Sequence, residues 1–193
     1  TGTPTVVPRL PPRTTGGTRP LTDDELTLLR TAALTTGRDH GRNATILALA
    51  EATAITSEIA LVHIDDLDNP SDPTTVSLPG NRRAEPRTGQ LTGWGQGVIA
   101  RRVRALCAQP GGDGRLAFTG TPGPEEISGQ ASVCNALGVL LAAVGLNLEP
   151  DVRPASVRYW AGRTLYDSGA PITDVAIALG ARSLDSAATA IGL

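Results

Sequence analysis

Residues 155–181 decide how this chain folds. Ala155-Ser156-Val157-Arg158-Tyr159-Trp160 opens a helical stretch that runs to Ser168 and is closed by Gly169. Thr173 to Leu179 forms a second, closed by Gly180 and followed by Ala181. A glycine just past a helix takes the left-handed conformation that lets the chain satisfy the last carbonyls and turn away. Ser183 then stands where a cap is needed for a final segment, Leu184 to Ile191. Before this run, Ile127 to Val144 is a long apolar helix ending at Gly145. The C-terminal third is therefore a succession of helices with glycine punctuation.

Working outward to the N-terminus, Leu21-Thr22-Asp23-Asp24-Glu25-Leu26 begins a helix sharply. Thr22 and Glu25 have capping-box spacing, and Leu21 and Leu26 are placed as a hydrophobic staple. Leu26, Leu29 and Ala33 continue the stripe to Gly37. A second helix is predicted over Asn43 to Ala54 and a third from Thr56 to about His63. Asp65-Asp66-Leu67-Asp68 reads as a polar turn; the loop lacks the glycine and distal Glu of a calcium site. Thr74 to Leu78 reads as a strand, Pro79-Gly80-Asn81 as a turn, and Arg87 to Leu91 as a return strand that Pro86 confines to an edge. Gly97 to Ala108 is helical, with Ile99, Val103 and Leu106 on one face and Arg101, Arg102 and Arg104 assigned to the solvated side. Arg115-Leu116-Ala117-Phe118 is a short apolar stretch. The fold class is mainly α with a small antiparallel β-sheet (α+β), the sheet having two or three strands. Residues 1–20, rich in Pro, Thr, Gly and Arg, read as a linker or tail, and residues 21–193 as one domain.

Composition narrows the function. The chain has 193 residues, 40% of them hydrophobic and 19% charged, an ordinary globular balance. Aromatic residues are only 3%, so aliphatic side chains must build the core. It has no lysine; all 17 basic residues are arginine, and the net charge is -2. GC-rich codon usage accounts for the arginine bias, and the charge argues against strong affinity for duplex DNA. Cys107 and Cys134 lie in apolar helical patterns and are read as small core residues in a reducing cytoplasm. With His40 and His63 as the only histidines, no metal or other cofactor is expected. No run reaches the length of a membrane span and no signal peptide is visible. The expected location is cytoplasmic, without membrane association. Starting at Thr1 with no Met, the chain is read as a piece of something longer.

Several motifs resemble the catalytic domain of tyrosine recombinases, the phage-integrase family. Leu21 to Leu26 is similar to the family's opening, L-T-x-E-E. Ser57-Glu58-Ile59-Ala60-Leu61 followed by Asp65-Asp66-Leu67 resembles S-E-x-x-x-L…D-I-D. Arg158, Gly169, Ile172, Val175, Leu179 and Gly180 fit the closing motifs without a gap. The resemblance covers residues 20–193, and implies a mainly helical domain in which positions 55, 158, 181 and the 82–83 hairpin surround one concavity.

The family's reaction is a DNA transesterification. A tyrosine attacks a phosphodiester, two arginines stabilise the charged transition state, a lysine protonates the leaving oxygen and histidines assist. Position by position, the resemblance implies a degenerate site here. The first arginine falls on Ile55, which cannot donate a hydrogen bond. H-x-x-R falls on Ala155-Ser156-Val157-Arg158, leaving Ala155 for the histidine and retaining Arg158. L-G-H falls on Leu179-Gly180-Ala181, and counting on to the tyrosine gives Ala190. Arg82 or Arg83 occupies the lysine's region, and Arg holds its proton too tightly to serve as a general acid near neutral pH. Tyr159 and Tyr166 come too early in the motif order. No catalytic residue, no nucleophile and no enzymatic activity are expected.

The surviving side chains have plain readings too. Glu58 is the expected structural ion-pair partner of Arg158. Arg82, Arg83, Arg87, Arg101 and Arg158 are the DNA-binding candidates, against the plainer reading of a solvated, charged strand edge and helix face. Trp94 and Trp160 are read as packing anchors. Three roles stay open: a non-catalytic recombinase-like domain kept for weak, nonspecific DNA association or assembly in DNA integration and recombination; a scaffold that binds a protein partner or itself, with no DNA role; and a decaying remnant of a mobile element.

Overall fold

The computed structural model describes residues 17–36, 41–108, 113–117 and 126–193. Phe118, His40 and most of the 1–20 segment lie outside the described residues. The helices are α1 (Asp23–Thr35), α2 (Arg42–Glu51), α3 (Thr56–Ile59), α4 (Gly93–Cys107), α5 (Glu126–Ala143), α6 (Ala155–Asp167), α7 (Ile172–Leu179) and α8 (Leu184–Ala190). Strands β1 (Thr75–Leu78) and β2 (Arg87–Gln90) form a two-stranded antiparallel sheet between α3 and α4. No helix among the described residues is long and apolar enough to cross a membrane, and no group of metal-ligating side chains occurs among them.

Local chemistry explains the boundaries. Thr22 Oγ1 accepts from the Glu25 N–H at 3.2 Å and Glu25 Oε2 from the Thr22 N–H at 2.8 Å, closing the capping box. Ser183 caps α8 in the same manner, its Oγ accepting from the Ser186 N–H at 3.1 Å. Gly180 ends α7 at φ +61°. Three elements differ from the sequence reading. α4 starts at Gly93, because the Thr92 hydroxyl accepts from the Gly95 N–H at 3.1 Å and overrides the weak propensity of three early glycines. α3 stops at Ile59, and the chain continues through a 3-10 turn at Ile64–Asp66. α2 stops at Glu51, three residues before the expected Ala54. The two-stranded sheet agrees with the expected two or three strands.

α2 is the hub. Every residue from Ala44 to Glu51 is buried, and α1, α4, α5 and α6 pack around it. Its last residue, Glu51, accepts from Arg30 Nε and Nη2 at 2.9 and 2.7 Å and from the Thr92 hydroxyl at 2.8 Å. The Arg30 guanidinium lies 5.3 Å from the Trp94 ring and 5.7 Å from the Trp160 ring. The two tryptophans are thus packing anchors, bracketing a cation that joins α1 to α2, α4 and α6. A second, smaller core of Val175, Leu179, Ala190 and Ile191 holds α7 and α8 against α6.

The acidic turn is structural. Asp66 Oδ2 accepts from the His63 N–H at 2.8 Å. Asp68 accepts from the backbone N–H groups of Thr74 and Thr75 at 2.9 and 3.0 Å and from the Thr74 hydroxyl, which fixes the entry to β1.

Three residues sit opposite to expectation. Cys107 is exposed at the end of α4, and Cys134 is half-buried, so neither is a closed core residue. Arg102 is buried rather than solvated. It lies three residues after Ile99 and four after Val98, on the inward face of α4, and its Nε donates to the Leu116 carbonyl at 2.8 Å. Arg101 and Arg104 are exposed, as expected.

Candidate functional site

The sheet sets the geometry of the site. Val76 pairs with Gly89 and Leu78 with Arg87, and these four side-chain positions face inward. A Cβ at Gly89 would meet the Ala52 carbonyl oxygen at 2.3 Å, so only glycine lets β2 approach the end of α2 this closely. Arg87 is carried inward with it, and its side chain is 1% exposed.

All five Arg87 donors are used. Nη1 and Nη2 reach Glu58 Oε1 and Oε2 at 2.9 and 2.7 Å. Nη1 also donates to the Glu85 carbonyl at 3.1 Å, Nη2 to the Thr53 carbonyl at 2.6 Å and Nε to the Thr53 hydroxyl at 3.3 Å. The Ile55 N–H gives Glu58 a third hydrogen bond at 2.9 Å. This corrects two readings. Glu58 is the partner of Arg87, not of Arg158, because strand alternation delivers Arg87 to the buried carboxylate. Arg87 is also no solvated edge residue, and it has no donor left for a phosphate.

Thr53 pays for this arrangement in conformation. It is the one non-glycine with positive φ, +70°, among the described residues. Its hydroxyl donates to the Ala178 carbonyl at 2.6 Å, tying the α2–α3 turn to α7.

Arg158 stands one step further out. Its Nη2 donates to the Leu179 carbonyl at 2.8 Å, but its buried Nε has no hydrogen-bond partner among the described residues. Burial lowers its pKa from the usual arginine range; Tyr159 opposes this, the Arg87 charge adds to the lowering, and Glu58 acts more weakly in the opposite sense. Among the described residues it has no carboxylate ion-pair partner.

Arg158 lines a concavity of about 350 Å³ together with Ile55, Arg83, Arg153, Ala155, Gln130, Cys134 and Leu137. Four positions singled out in the sequence, Ile55, Arg83, Ala155 and Arg158, therefore share one site. Arg82 is exposed on the same loop. That loop is tethered: the Glu85 N–H donates to the Gly180 carbonyl at 3.0 Å, Arg182 pairs with Glu85 at 3.1 Å, and Asn81 Nδ2 donates to the Ser57 hydroxyl at 3.0 Å. A Cβ on Gly180 would come within 2.9 Å of Arg87 Nη1, so glycine is needed for this contact as well as for the helix end.

Other candidates fall elsewhere. Ala181 follows Gly180 but does not line the concavity. Ala190 and Tyr159 line a separate cavity with Asp185 and Thr189. Tyr166 packs against the α7–α8 core. Arg101, on α4, does not line the concavity. Arg153, Gln130 and Cys134 were not singled out as site residues in the sequence. Arg153 lies two residues before Ala155, a spacing that carries no signal, and the other two reach the site only because α5 packs on α3.

No protein-family model matches the chain, and no curated protein sequence matches it. Solved structures do. XerA recombinase superposes with a TM-score of 0.70 at 15% identity, over 97% of this chain and 62% of that one. XerH site-specific recombinase bound to difH substrate gives 0.67 at 16% identity, over 91% and 50%. A lambda integrase dimer bound to a COC' core site gives 0.62 at 16% identity, over 90% and 48%. The chain thus spans about half to just over three-fifths of these proteins, and at such identities what it shares with them is the fold.

Proposed function

With the tyrosine-recombinase catalytic-domain fold as its frame, we propose that this chain is a non-catalytic recombinase-like domain that associates weakly with the DNA backbone. The observation that carries the reading is the concavity itself. It is lined by three cations, Arg158, Arg83 and Arg153, and none of its described lining residues is acidic. A phosphate oxygen would pair with these guanidinium groups, and Arg82 and Arg83 on the tethered loop would extend backbone contact. Strand transfer is another matter. Ile55, Ala155, Ala181 and Ala190 stand where the resemblance calls for arginine, histidines and tyrosine, and the 193 residues contain no lysine. Tyr159 lines a different cavity from Arg158's own.

Two experiments test this. Nicked or suicide DNA substrates should yield no covalent protein–DNA adduct; an adduct mapped to Tyr159 or Tyr166 would refute catalytic silence. A titration across salt should show weak, nonspecific binding, with Kd on the order of 10⁻⁴–10⁻⁶ M. Replacing Arg82 and Arg83 with Ala should flatten the log–log salt slope by up to roughly 2, each phosphate contact adding about 0.9. The second reading, a protein-interaction scaffold, draws on the exposed apolar side chains of the last helices, Ile177 at 69% and Leu184 at 47%. No DNA binding even at low salt would select it.

A further inference from the structure

The concavity is not shaped for a bare phosphate alone. Its lining combines three cations, Arg83, Arg153 and Arg158, with the half-buried apolar groups of Ile55, Pro154 and Ala155. Ile59 and Leu137, fully buried in the main core, back this apolar wall. At positions 55 and 155 an aliphatic side chain and a methyl group stand where the resemblance implies polar, charged groups. The volume of about 350 Å³ falls within the ordinary range for small-molecule sites, which are mostly apolar with a few convergent polar groups.

We propose that this concavity binds a small organic anion with an apolar body, such as an aryl phosphate, its charged end on Arg158 and its ring against Ile55 and Ala155. The inference shares its anion seat with the DNA reading above, so the ligand and a DNA backbone would compete for Arg158. Inorganic phosphate satisfies only the cationic groups, and a neutral aromatic only the apolar ones. A ring that buries its surface on the apolar wall should gain about tenfold or more over inorganic phosphate.

The test is isothermal titration of the full chain with phenyl phosphate, inorganic phosphate and benzyl alcohol. Phenyl phosphate should bind at least about tenfold more tightly than inorganic phosphate, with benzyl alcohol not detected. Ile55→Arg should fill the apolar side and bring the ratio of the two phosphates close to one. Arg158→Gln should weaken both about tenfold or more; if that variant does not fold, the Ile55→Arg ratio still decides. Equal affinity for the two phosphates in the unaltered chain, or a preference unchanged by Ile55→Arg, overturns the proposal. Titrating a duplex with the same samples separates it from the DNA reading. Duplex binding without aryl preference overturns this inference alone. An aryl preference that Ile55→Arg abolishes, with no duplex binding, supports it and overturns the DNA reading alone.

Discussion

Replacing Arg87 with Met should reveal how much of the fold rests on the buried pair beneath the site. Both partners are 1% exposed, and the guanidinium makes five hydrogen bonds. In Arg87→Met the Glu58 carboxylate keeps only the Ile55 N–H, while the Thr53 and Glu85 carbonyls lose their Arg87 donors. Stranding one member of a buried ion pair costs about 3–5 kcal/mol. For a chain of this size that corresponds to a fall in Tm of roughly 6–20 °C, at about 2–4 °C per kcal/mol. Adding Glu58→Gln removes the stranded charge and keeps an acceptor for Ile55. The double variant should recover about 2 kcal/mol relative to additivity, though not the whole loss, since the two carbonyls stay unpaired. Urea unfolding of the four proteins, followed by far-ultraviolet circular dichroism, measures the cycle. Under conditions where Arg87→Met stays folded, its salt slope for DNA should equal that of the unaltered protein. A loss below about 1 kcal/mol, strict additivity, or a flattened salt slope in Arg87→Met would refute the assignment of Arg87 as a purely internal cation.

At position 53, glycine should be better tolerated than alanine, by about 1 kcal/mol in thermal or urea melts. Both lose the hydroxyl bond to Ala178, but only glycine relieves the +70° φ. Gly162→Ala should destabilise by about 1–3 kcal/mol in the same melts, since its Cβ would sit 2.8 Å from Leu179 Cδ1 and 3.0 Å from Ile191 Cγ2. The Thr74 hydroxyl, with help from the Thr75 and Thr74 N–H groups, holds the Asp68 carboxyl well below the usual carboxylate range. A depressed folded pKa contributes stability that is present above about pH 4 and lost as pH falls through the folded value. Asp68→Asn should therefore reduce the acid dependence of stability, and carbon-13 titration of the carboxyl should show a midpoint well below that of an exposed Asp.

What the sequence alone determined is what neighbouring residues write. Thr22 and Glu25, Gly180 and Ser183 mark helix ends through contacts within a few residues, so the order of helices and the inserted hairpin could be read without the structure. The spacing from Ile55 to Glu58 and from Arg158 to Gly180 is enough to expect one concavity at 55, 158, 181 and the hairpin; Ile55, Arg158 and Arg83 line it, and Ala181 does not. Two of the errors had a legible counter-signal. Alternation back from the buried Leu91 through Gly89 puts Arg87 on the inward face, and Arg102 shares the helical face of Val98 and Ile99. Arginine's charge outweighed its register in the reading, whereas burial depends on what waits inside: a carboxylate for one, the Leu116 carbonyl for the other. Only the tertiary structure could decide which arginine takes Glu58, that Arg158 is left with an open donor, and that Arg153, Gln130 and Cys134 join the site. Those facts depend on the distance between side chains far apart in the chain, set by how β2, α5 and α6 pack around α2 and α3, and no local pattern encodes that distance.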